Sequence, residues 1–128
     1  MIDASALVKV LAEEGPSAEA VRKRLVGEAL VAPAHIDAEV LSVLRALALA
    51  GKLPVDRAET AVGLLEVMPL KRASLPSYLG RAWQLRGNHS AYDALYLALA
   101  ESLACPLVTG DARMARGNAA RCQVEVFS

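Results

Sequence analysis

Ser90-Ala91-Tyr92-Asp93-Ala94-Leu95-Tyr96-Leu97-Ala98-Leu99-Ala100-Glu101-Ser102-Leu103-Ala104-Cys105-Pro106-Leu107-Val108-Thr109-Gly110-Asp111 is the stretch that decides the fold class. Ser90 opens an apolar run long enough for a helix over 90–104. Pro106 then interrupts it, and Leu107-Val108-Thr109, closed by Gly110, has the length and composition of a buried strand. A helix feeding a buried strand is the repeating unit of a parallel sheet covered by helices.

Working outward, the same alternation recurs. Upstream, a helix over 76–86 ends at Gly87 and a strand occupies 69–73. Helices are expected over 54–67 and 34–50, the latter with Ile36, Val40, Val43, Leu44 and Leu47 on one stripe before Gly51. A strand over 28–32 ends at Pro33, helices cover 4–14 and 17–26, and Met1-Ile2 is the remnant of a first strand. Downstream, 112–116 makes one or two turns and 123–127 is the last strand. With no repeat, low-complexity tract or linker, residues 1–128 read as one α/β domain.

Composition narrows the function classes. Hydrophobic residues make up 55% of the 128 and aromatics 4%, which excludes disorder. Alanine fills roughly a fifth of the chain, favouring closely packed helices. Lys+Arg 14 against Asp+Glu 14 gives net charge +0, so coating a nucleic-acid duplex by bulk electrostatics is excluded, and nucleic acid enters only as a substrate met at a local site. Cys105 and Cys122 are too few for a disulfide scaffold or zinc site and read as reduced core residues. No apolar run spans a membrane and no signal peptide opens the chain, so a soluble, cytoplasmic protein without a membrane partner is expected.

Phosphate-binding loops, G-x-G-x-x-G, G-x-S-x-G and H-E-x-x-H are all absent. Carboxylates remain. Asp3 ends the first strand, Asp111 follows the strand at 106–109, and Glu39 and Asp93 lie in the first turns of helices that can face the same sheet edge. Ligands of open α/β sheets bind beyond the carboxyl ends of the strands. Gathered carboxylates hold a hard divalent cation, and a set without His or Cys favours Mg²⁺ or Mn²⁺ over zinc. Taken singly, each acid also has a bland explanation: Asp3 and Asp111 stand where helix caps stand, Ser90 to Asp93 is like a capping box, and Asp37 and Glu39 are first-turn acids.

The ordered strings Ile2-Asp3-Ala4-Ser5-Ala6-Leu7, Pro33-Ala34-His35-Ile36-Asp37-Ala38-Glu39-Val40, Ser90 to Ala100 and Leu107-Val108-Thr109-Gly110-Asp111 resemble the PIN-domain ribonucleases, and most closely the VapC toxins of toxin–antitoxin pairs. That resemblance implies a PIN-like three-layer fold, a mostly parallel, short-stranded sheet flanked by helices. It implies a catalytic, metal-holding set of Asp3, Glu39, Asp93 and Asp111, with Ser5 and Thr109 in support and Asp37 outside. The implied reaction is hydrolysis of an RNA phosphodiester by activated water, with Mg²⁺ or Mn²⁺ offsetting transition-state charge and no side-chain nucleophile. A homodimer and a small VapB-like antitoxin, whose C-terminal segment covers the acidic site, are implied as well. One departure is that only Met1 and Ile2 precede Asp3, where the family has several apolar residues; either the first strand is short or the start lies upstream.

Arg86, His89, Arg113 and Arg116 flank Asp93 and Asp111 and are the candidates for RNA phosphates. His35 reads as a helix-start residue beside Glu39, and Arg22-Lys23-Arg24 as the wet face of a helix. Tyr78 and Trp83 read as core or interface, and Tyr92 and Tyr96 as packed on one helix face. Two rival functions share acids at strand ends. A haloacid-type phosphatase needs an Asp two residues after its nucleophile, where Ser5 stands, and a receiver-type phosphoacceptor needs a late-strand Lys that is not evident. A catalytically silent PIN-like binding module would have no reason to keep four carboxylates.

Overall fold

Six α-helices, four short strands and two 3₁₀ turns follow one another through the described residues, 1–117 and 119–128, of the computed structural model. Asp3 caps α1 (Ala4–Ala12) by accepting from the Ala6 N–H at 3.0 Å. Pro16 opens α2 (Pro16–Leu25) at the first helical position, where its missing N–H costs nothing. Then come β1 (Leu30–Pro33), α3 (Ile36–Leu49), α4 (Val55–Val67) and β2 (Leu70–Ala73). The single helix expected over 76–86 is a 3₁₀ turn, Pro76–Tyr78, leading into α5 (Leu79–Gln84). α6 (Ala91–Leu103) ends on Ala104 in the left-handed region, which turns the chain into β3 (Leu107–Thr109). A second 3₁₀ turn, Ala112–Ala115, and β4 (Val124–Val126) complete the order.

β1 pairs parallel to β2 with Leu30 opposite Leu70, and β3 parallel to β4 with Leu107 opposite Val124. The first three residues knit the two pairs together. Ile2 N–H donates to Val31 O at 3.2 Å, Val108 N–H to Met1 O at 2.9 Å, and Asp3 N–H to Val108 O at 3.2 Å. The strand remnant expected at Met1-Ile2 is therefore the central member, and it brings Asp3 to the sheet edge where β3 delivers Thr109.

α6 is buried from Ala94 through Ala100 because it packs against β1, β3 and α5. An apolar surface all round the helix is what that position requires. Each fully buried Leu, Ile or Val contributes roughly 1.5–3 kcal/mol. Ile36, Val40 and Leu44 point α3 inward as its stripe predicts, whereas Val43 is 38% exposed, on the rim of a cleft. Tyr92 and Tyr96 separate rather than pack as one face, at 62% and 1% exposed. Trp83 is exposed, and Tyr78 packs against the core. Cys105 and Cys122 are unpaired and half-buried, as reduced packing residues should be. Among the described residues, no helix is long and apolar enough to cross a membrane.

Candidate active site

Asp3 is the anchor. Only 5% exposed, it accepts at Oδ1 from Ser5 Oγ (2.7 Å) and the Ala6 N–H, and at Oδ2 from Thr109 Oγ1. Each hydroxyl has one proton and gives it to Asp3, so each is left to accept. Ser5 Oγ accepts from Gly110 N–H at 2.8 Å, and Thr109 Oγ1 from Asp111 N–H at 3.0 Å. Ser5 and Thr109 thus tie the start of α1 to the end of β3.

The other three acids come from separate segments. Glu39 lies in the first turn of α3, with Oε1 3.0 Å from His35 Nε2. Asp93 lies in the first turn of α6, which Ser90 caps by accepting from the Asp93 N–H at 3.2 Å. Asp111 caps the second 3₁₀ turn through Arg113 N–H at 2.9 Å, and takes the Arg113 guanidinium on both oxygens, with Nη2 at 2.7 Å. The cap readings and the gathered-acid reading are therefore compatible, because all four carboxylates line one cleft of about 330 Å³.

Crowding leaves an electrostatic mark. Burial pushes Asp3 above the usual carboxylate range against three hydrogen bonds, and the Asp93 charge adds to the rise. Asp93 is raised by burial first, then by Glu39 and Asp111. Asp111 is lowered, chiefly by Arg113. Among the described residues, no three Asp, Glu, His or Cys side chains stand close enough to hold an ion as they are. Asp111 is folded onto Arg113 and Glu39 lies against His35. As a donor set, four hard oxygen-bearing side chains that repel one another fit a divalent cation of the Mg²⁺ or Mn²⁺ type.

Of the expected phosphate contacts, Arg113 lines the cleft. Arg116 is exposed beyond it, though its charge helps lower Asp111. Arg86 does not line it: the guanidinium stacks on Trp83 at 4.5 Å and donates to the Trp83 carbonyl. His89 does not either, being held in the turn after α5 by its N–H to Leu85 O at 3.2 Å. Asp37 is outside, bound by Arg72 at 3.0–3.3 Å. Sequence reasoning missed Lys9 and Tyr96, both on the cleft wall. Their signal was present, since Lys9 is four residues after Ser5 on α1 and Tyr96 three after Asp93 on α6. Lys9 lies so close over the strand end that a Cβ on Gly110 would stand 2.7 Å from its Cε.

A PIN-domain family model matches residues 1–119, a span holding all four carboxylates. Ribonuclease VapC3 of Mycobacterium tuberculosis is 44% identical over 116 residues, covering 91% of this chain and 85% of that protein. Ribonuclease VapC12 of the same organism is 35% identical over 128 residues (100% and 98%), and Ribonuclease VapC1 37% over 127 (98% and 96%). With parallel strands, flanking helices and an acidic cleft at the strand ends all accounted for, the chain belongs to the PIN-domain family and sits among its VapC ribonucleases.

Proposed function

We propose that this chain is a Mg²⁺- or Mn²⁺-dependent endoribonuclease, the toxin of a toxin–antitoxin pair, in which Asp3, Glu39, Asp93 and Asp111 are the catalytic, ion-holding carboxylates. The observation that carries the reading is the meeting of four acids from four separate segments in one cleft, two of them pushed above the usual carboxylate range. When bound there, the ion supplies Lewis acidity that acidifies water and offsets charge on the phosphoryl oxygens. Asp3 is held rigid by Ser5, Ala6 and Thr109, so it offers its oxygens in one fixed direction. Lys9 and Arg113, both cationic and on the cleft wall, contact phosphates of the RNA, and the exposed Arg116, whose charge reaches Asp111, adds to that attraction. Arg113 is shared: a phosphate that takes its guanidinium frees Asp111 to turn into the cleft.

The phosphatase alternative loses support from Asp3 itself, which is buried and already accepts three hydrogen bonds, a poor setting for an attacking nucleophile. The proposal extends to a cytoplasmic homodimer restrained by a small VapB-like antitoxin whose C-terminal segment covers the cleft, on the strength of family membership. Apolar side chains exposed on α3 and α4, such as Leu41 and Val55, are compatible with such partners. The test is cleavage of single-stranded RNA in chelator and after adding Mg²⁺ or Mn²⁺. The expected result is cleavage only with the ion, and its loss in Asp93→Ala. Cleavage in chelator, or full activity in a folded Asp93→Ala protein, would refute it.

A further inference from the structure

Among the described residues, three buried polar side-chain atoms lack a hydrogen-bond partner, His35 Nδ1, Glu39 Oε1 and the Tyr96 hydroxyl, and their residues adjoin: His35 lies against both Glu39 and Tyr96, and Glu39 and Tyr96 line the same cleft. Each such atom is destabilising, so three together call for a reason other than stability. Tyr96 is 1% exposed, yet it forms part of the wall of the acidic cleft. Its ring packs against His35 with centroids 4.8 Å apart, a contact that phenylalanine would make equally well. The hydroxyl is therefore not needed for packing. His35 presents Nε2 to two acceptors, Glu39 Oε1 at 3.0 Å and the Tyr92 carbonyl at 3.2 Å, so Nε2 carries the proton. Glu39 stands at contact distance from that N–H without the alignment of a hydrogen bond, a looseness expected of a catalytic group before its ligand is bound.

We infer that Tyr96 and His35 are positioning residues for Glu39: the tyrosine hydroxyl and the imidazole Nε2–H together fix Oε1, leaving Oε2 as the oxygen that meets the divalent ion. This inference rests on the ion-dependent ribonuclease reading and assigns to that site two residues that touch neither RNA nor ion. Outer partners of this kind set ligand orientation, and losing one typically weakens metal affinity 10–100-fold.

The test is calorimetric titration of Mn²⁺ into the chelator-stripped, RNA-free full chain, beside the Mn²⁺ dependence of RNA cleavage. Tyr96→Phe is expected to raise the half-saturating Mn²⁺ concentration about tenfold in both measurements. The RNA KM at saturating Mn²⁺ should stay as in the unmodified chain, and the melting temperature in chelator should be no lower. His35→Leu should do the same, and His35→Gln, which keeps a donor near the Nε2 position, should restore most of the affinity. Unchanged Mn²⁺ affinity in Tyr96→Phe overturns the inference while leaving the ribonuclease reading intact. Should that variant fail to fold, equal affinity in His35→Leu and His35→Gln overturns it instead. An unmodified chain that neither binds Mn²⁺ nor cleaves RNA refutes the underlying reading and this inference with it.

Discussion

Asp3 accepts three hydrogen bonds and still has a raised pKa, because burial outweighs them. Asp93 is raised too, by burial and then by two neighbouring acids. A carboxylate raised in the folded state keeps a proton that the unfolded chain has already lost. Between 3.8 and the raised values, stability from these two groups therefore falls as pH rises. Asp111 has the opposite sign: it is lowered by Arg113, and its contribution disappears only as pH drops below 3.8 toward the lowered value. In chelator, the melting temperature is expected to rise on acidification toward 3.8, and Asp93→Asn should flatten that rise. A melting temperature that falls over that interval would contradict the crowding. At this scale the acids were legible in the sequence because each sits at a strand end or helix start. What could not be read was that capping and gathering are compatible, since a cap is judged locally and Asp3 meets Thr109 across the whole chain.

Helices α1 and α2 are locked by a residue the sequence leaves on a wet surface. Arg22 of α2 donates to the carbonyls of Lys9, Val10 and Glu13, at 2.6 Å for the last. Those groups belong to the end of α1, where carbonyls have no helical partner and the dipole attracts a cation. Arg22→Ala should cost about 2 kcal/mol in urea unfolding, and Lys23→Ala, one position on and exposed, less than about 0.5. Equal costs would contradict the capping role. Helix and strand order was readable from periodicity and from Pro and Gly punctuation. Contacts such as Arg22 to α1 were not, because a charged side chain gives no periodic signal of which partner it finds. Arg86 failed similarly: near Asp93 in sequence, it is drawn to Trp83 by stacking.

Across the whole molecule the net charge is +0, yet negative charge is concentrated where four segments meet. The segments are the central sheet member with Asp3, α3 with Glu39, α6 with Asp93 and the end of β3 with Asp111. On the proposed reading, an ion held by all four would tie the fold together, and ligand-linked stabilisation reaches about 2.7 kcal/mol at one hundred times Kd. The most direct test is a pair of melting curves, in chelator and in Mn²⁺, for the unmodified chain and Asp93→Asn. With repulsion relieved, the variant should melt no earlier than the unmodified chain in chelator and lose most of the Mn²⁺ shift. A variant that melts earlier in chelator, by the roughly 0.3–1 kcal/mol of a lost helix-start charge, yet keeps the full Mn²⁺ shift would contradict the gathered site.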